Sequence, residues 1–236
     1  MSIVRIRSPS VTTTAVVLTA WVALVLGWEA WSTLDTSKRI LWLVHPQTLG
    51  GDLEGLPWLT WAVAPALFAY VRHGPWLDRE WFGVSRWQRR DWRWLGIASV
   101  AAVVAAVLIP LFPTLQGEYR TLASDGAFTE AQRTRYFAEA LLWILSWLPV
   151  WEFMTRGLLL PFADRAWPRY GWLAVPVLET AFHFVKPWPE AVGMLVFSTF
   201  ATRWAKERRN LSLPFLAHLL IELAVCAYVA FGAPLS

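Results

Sequence analysis

Three pairs of ionisable residues stand four positions apart inside apolar stretches of this chain. Glu152 and Arg156 lie in VWEFMTRGLLLP (150–161), Glu179 and His183 in ETAFHFVKPWPE (179–190), and His218 and Glu222 in HLLIE (218–222). An i,i+4 spacing puts both members of a pair on one helical face. An ionisable side chain at the centre of a bilayer costs about 2.5–3.5 kcal/mol on insertion scales, so three such faces must meet one another or a wet cavity. Carboxylates and imidazoles gathered there can activate water, with Glu and His as general base and a second His donating to an oxyanion. A two-His, one-carboxylate metal site is equally open to this residue set.

Each pair also has a plainer reading. Glu152 and Arg156 can form a structural ion pair, His183 can hydrogen-bond between helices, and His218 and Glu222 can bond locally near a membrane surface. Lys186 can snorkel, Glu29 stands near the end of its apolar run at an interface, and Cys226, the single cysteine, reads as a buried inert thiol. The sequence has no HExxH, no G-x-S-x-G and no glycine-rich phosphate loop. Those absences remove three common routes to hydrolysis and phosphate chemistry.

The elements that must position these residues are membrane helices. Of 236 residues, 56% are hydrophobic and only 16% charged, which suits a polytopic membrane protein better than a soluble domain. Many of the 18 Trp residues stand near the ends of apolar runs, the place an indole takes at the headgroup level. The reading is an all-α transmembrane bundle of about seven spans: 11–31, 56–72, 93–113, 137–163, 171–187, 189–205 and 213–233. The chain is taken as a single membrane domain over 1–236, with its motif-bearing core at 137–233. ILWLVH (40–45) is too short to span and is expected along the interface, and 114–136 reads as a polar loop.

With the N-terminus inside, the inner segments hold Arg5, Arg7, the arginines between 72 and 93, Arg165, Arg169, Arg203, Lys206, Arg208 and Arg209. The outer segments hold only Lys38, Arg39, Arg120, Arg133, Arg135 and Lys186. This asymmetry predicts N-in and C-out. On these spans Glu152 is central, His183 lies toward the outer end and His218 toward the inner end. Part of 183–190 must therefore turn back into the bundle if the three are to meet.

At these residues the chain resembles the CPBP (Abi, CAAX protease/bacteriocin-processing) family of intramembrane proteases, whose pattern is EExxxR, then FxxxH, then HxxxN or HxxxD. Glu152, Arg156 and Gly157 match the first motif, His183 the second and His218 the third. Lys186, Pro187 and Glu190 resemble the HxxKPxxE extension of a bacterial subgroup, and NLSLPFLAHLL resembles the family's approach to the third motif. The resemblance covers about 145–225. It implies peptide-bond hydrolysis within the membrane: Glu152 or Glu179 with His183 activates water, His218 stabilises the oxyanion, and Arg156 holds Glu152 or the fold. Lys186 and Glu190 are supporting residues. It implies no required metal or other cofactor and no nucleic acid. The implied partners are the lipid bilayer and a membrane-anchored protein or peptide substrate, such as a prenylated tail, a bacteriocin leader or a sorting tail. The implied location is the bacterial inner membrane.

Three positions depart from the pattern. Trp151 stands where the family has the first Glu, Glu179 where it has Phe, and Glu222 where it has Asn or Asp. The loss of the first Glu fits either an inactive scaffold of the same fold or an enzyme in which another Glu does the work. An ionised Glu222 would repel an oxyanion unless paired or placed elsewhere. A proton-coupled transporter is a third reading of buried acids and imidazoles, disfavoured by the lack of an inverted repeat.

Overall fold

The computed structural model describes residues 9–34, 58–77, 79–82, 87–119, 121–122 and 128–232. The stretch at 40–45 lies outside the described residues. Every regular element among those described is helical: α1 (Pro9–Leu34), α2 (Ala64–His73), α3 (Arg89–Leu108), α4 (Pro113–Glu118), α5 (Glu130–Glu152), α6 (Leu160–Ala166), α7 (Ala174–His183), α8 (Trp188–Arg208) and α9 (Ser212–Phe231). A π-helical segment, Trp58–Val63, leads into α2, and another, Phe153–Leu159, joins α5 to α6.

Among the described residues, four stretches are long and apolar enough to cross a membrane: Val11–Trp31, Arg89–Leu111, Glu130–Ala166 and Ser212–Phe231. The chain is a helical integral membrane protein. The expected spans at 56–72, 171–187 and 189–205 do not reach that standard. The described helix ending at His73 begins at Trp58 and rises about 24 Å against a hydrocarbon core of about 30 Å. α7 has 10 residues. α8 has 21, but it carries Glu190, Arg203, Lys206, Glu207 and Arg208.

α1 is apolar all round, so packing rather than polarity selects its inner face. Val11, Ala15, Leu18, Val22 and Leu26 recur every three or four residues and are buried, whereas Val16, Leu24 and Trp31 are exposed. Glu29, expected at the interface, falls on the buried face of α1. Thr14 Oγ1 and His73 Nε2 meet at 2.7 Å, tying α1 to the end of α2. α3 packs on α9, and its buried side chains include the small Ala102 and Ala106. Small residues are what let membrane helices approach closely. The outer face of α3, with Ile97, Val100, Val103 and Val107 exposed, suits a hydrocarbon surround. α9 also packs on α5 and α8, while α1 packs on α6 and α7. Cys226, in α9, is a free and half-buried thiol.

Charged clamps close one end of the bundle. Asp91 caps α3 by accepting from Gln88 N at 2.6 Å, and it also receives Arg208 Nε and Nη2 from the end of α8 at 3.1 and 2.9 Å. Lys206 pairs with Asp164 at 2.5 Å, joining α8 to α6. α8 then stops at Arg209, whose left-handed backbone (φ 48°) turns the chain toward α9.

The turn from α6 to α7 is closed by Gly171 N–H, which donates to the Trp167 carbonyl at 2.6 Å. A Cβ on Gly171 would stand 1.9 Å from the Ala163 carbonyl oxygen, which is backbone and has no rotamer in which to yield. Gly171→Ala is expected to destabilise the protein by about 1–3 kcal/mol or more, read as a lowered Tm in detergent with α6 and α7 loosened in hydrogen exchange.

Candidate active site

The site is built around one guanidinium. Phe153–Leu159 runs as a π-helix, a wider turn found mostly at functional positions. Pro161 has no N–H to offer the carbonyl four residues back. That carbonyl belongs to Gly157, and Trp76 Nε1 donates to it instead at 3.1 Å. Thr155 Oγ1 donates to the Trp151 carbonyl at 2.8 Å. Within this turn Arg156 is fully buried. Its Nη1 donates to Glu152 Oε2 at 2.7 Å and Glu179 Oε1 at 3.2 Å, and its Nη2 to Glu179 Oε2 at 2.7 Å and Ser198 Oγ at 3.2 Å.

Glu179 accepts two further bonds, one from Trp151 Nε1 at 2.7 Å and one from Ser198 Oγ. Its four donors match the roughly four lone-pair sites of a carboxylate. Glu152 is nearly as fully used: Oε2 faces Arg156, and Oε1 receives His218 Nδ1 at 2.7 Å. The i,i+4 expectation thus holds as a direct ion pair for Glu152 and Arg156. For Glu179 and His183 the link runs through the backbone, with His183 Nδ1 donating to the Glu179 carbonyl at 2.8 Å.

Both imidazoles are therefore fixed at Nδ1 by one of the two buried glutamates, and both present Nε2 to a second, wetter layer. His183 Nε2 stands 3.7 Å from Glu190 Oε1, and His218 Nε2 stands 3.6 Å from Glu222 Oε1. The side chains of Glu190 and Glu222 are 19% and 29% exposed, against 0% for Glu179 and 2% for Glu152. Lys186 Nζ holds Glu190 Oε1 at 2.8 Å, and the Tyr119 hydroxyl donates to Glu190 Oε2 at 2.5 Å. Burial and the Glu190 carboxylate push the Tyr119 phenol far above its ordinary value, so it stays a donor. Glu222 lies one turn from His218 on α9. Phe197 and Trp147 pack on His218, and Phe182 packs on His183.

The structure links Glu152, Arg156, Glu179, His183, Lys186, Glu190, His218 and Glu222 in one network. The turn back at 183–190 is present: α7 ends at His183, and α8 starts at Trp188 with Glu190 in its first turn. Sequence reasoning missed Ser198, Tyr119 and the donor role of Trp151. Ser198 is a lone hydroxyl in an apolar run and gave no pairing signal. Tyr119 falls in a stretch read as a polar loop, yet α4 and the turn after it bring its hydroxyl to the site. No group of three or more His, Cys, Asp or Glu placed to hold a metal ion occurs among the described residues.

Removing the guanidinium leaves two buried carboxylates facing each other. Arg156→Met is expected to cost at least about 3–5 kcal/mol, and Arg156→Lys, which keeps the charge but not the fork, less. Thermal unfolding of the two variants in detergent checks this ordering.

Residues 133–224 match a protein-family model described as "Rce1-like: Type II CAAX prenyl endopeptidase Rce1-like". No curated protein and no solved structure matches the chain. The matched segment contains every residue of the network except Tyr119, and it coincides with the three motifs. Over the segment that builds its site, the chain is similar to the Rce1-like type II CAAX prenyl endopeptidases.

Proposed function

We propose that the protein is an intramembrane endopeptidase that hydrolyses a peptide bond in the tail of a membrane-anchored protein. One observation carries this reading: two imidazoles from different helices are locked at Nδ1 and turn their Nε2 atoms to the same wet layer. His183 donates Nδ1–H to a carbonyl, so its neutral ring holds a lone pair at Nε2 and can take a proton from water. His218 lies between Glu152 and Glu222, a setting for a ring that donates from both nitrogens, and its Nε2–H can bind an oxyanion.

The water oxygen adds to the scissile carbonyl carbon as its proton passes to the His183 side. The tetrahedral oxyanion is held by His218. The C–N bond then breaks as the proton moves to the leaving nitrogen, giving a carboxylic acid and an amine. Glu152 and Glu179 position the rings in this scheme, because both are buried behind them. The substrate class that fits is a lipid-modified or transmembrane C-terminal tail. Counted over the seven spans read from the sequence, the loop charges favour N-in and C-out, whereas the four stretches long enough to cross would put both ends on one side.

A second reading, a non-catalytic scaffold, is favoured by Trp151 at the place of the family's first Glu. Cleavage in proteoliposomes separates the two, using quenched fluorescent peptides that end in a farnesylated Cys-containing tail or a transmembrane tail. The wild type is expected to cleave. His183→Ala and His218→Ala should each lose at least about 10²-fold in kcat, and His218→Ala should also lower Tm because it unpairs Glu152. Cleavage that survives in both variants, or a wild type that cleaves neither peptide, favours the scaffold.

A further inference from the structure

We infer that Glu190, delivered by the first turn of α8, is the carboxylate that activates the hydrolytic water together with His183. This rests on the endopeptidase reading above and names the residue that makes up for Trp151. The four carboxylates of the network divide cleanly. Glu179 has all its lone pairs taken by Arg156, Trp151 and Ser198, and Glu152 has one oxygen on Arg156 and the other on His218. Both are also buried, with side chains 0% and 2% exposed, whereas Glu190, likewise held at both oxygens by Lys186 and Tyr119, keeps 19%. Glu190 and Glu222 are the two with exposed surface, and of these Glu190 approaches the Nε2 of His183.

That approach is 3.7 Å, too long for a direct hydrogen bond and short enough for one water to touch both atoms. Each neighbour of Glu190 has a use in this role. Tyr119 fixes the oxygen that faces away, and Lys186 sits on the oxygen that faces His183 and balances its charge. Glu118 and Glu222 add negative charge around Lys186. The main-chain turn contributes as well, since Glu190 N–H donates to the Pro187 carbonyl at 2.9 Å and sets the start of α8. Glu222, against His218, belongs instead to the side that receives the oxyanion or the leaving group.

In the step itself, the water oxygen forms its bond to the scissile carbonyl carbon while one water proton moves to Glu190 Oε1. His183 Nε2 holds the water through its other hydrogen. When the C–N bond breaks, Glu190 returns the proton to the departing nitrogen, and no other reactant is needed.

The test is steady-state cleavage of the farnesylated quenched peptide in proteoliposomes. Glu190→Gln is expected to lower kcat by about 10²–10⁴-fold with KM little changed, and to flatten the acid limb of the kcat–pH profile. Glu190→Asp is expected to recover part of the rate, which a packing role alone would not produce. Glu152→Gln should lower Tm, reflecting its place beside Arg156. If Glu190→Gln keeps wild-type kcat and pH profile while His183→Ala is inactive, the inference falls and the endopeptidase reading stands. If His183→Ala also cleaves normally, the endopeptidase reading falls with it.

Discussion

A guanidinium with no exposed surface governs this molecule. Arg156 sits inside a stretch long and apolar enough to cross a membrane, where a lone charge would be untenable. Its fork is answered by two glutamates from different helices, and each glutamate anchors one of the two histidines. The two acids outnumber the one base, so the buried layer is neutral when His218 carries a second proton against Glu152. Electrical balance in the core and the position of the imidazoles are thus one problem with one solution. Buried ion pairs seldom add much net stability compared with apolar packing. What this one supplies is registry, because the fork geometry admits only one placement of α5, α7 and α8.

The departures from the family pattern are coupled in space. An acid is missing at 151 and an aromatic ring is missing at 179, and the residues found there are Trp and Glu. The two side chains are in contact, with the indole donating to the carboxylate at 2.7 Å. Acid and ring have changed places across the α5–α7 contact. The buried charge is conserved by this exchange, and the indole adds edge contacts with Trp61 and Trp147. The acid of this buried contact thus comes from Glu179 on α7 rather than from position 151 on α5.

Much of this was legible in the sequence, and the limits are physical. The i,i+4 pairs could be placed on shared faces because helix periodicity is fixed, and the late position of all three motifs marked the helices that build the site. The reversal at 183–190 was legible as a need: His183 and His218 could not otherwise meet. Spans were harder to place. α7 is ten residues of good apolar sequence, and only the observed turn at Phe184 shows that it stops there. The glutamate roles were not legible at all. Glu152, Glu179, Glu190 and Glu222 are the same residue type in similar apolar settings, and what separates them is how deeply each is buried. Trp151 looked like a lost acid in sequence, whereas in three dimensions it is a donor.

Tyr119 reaches Glu190 from the segment between α3 and α5, outside the stretch that matches the family. Glu190 is thereby braced by a part of the chain that the family model does not describe, so replacing that segment would loosen Glu190 while leaving the pairs around Arg156 in place.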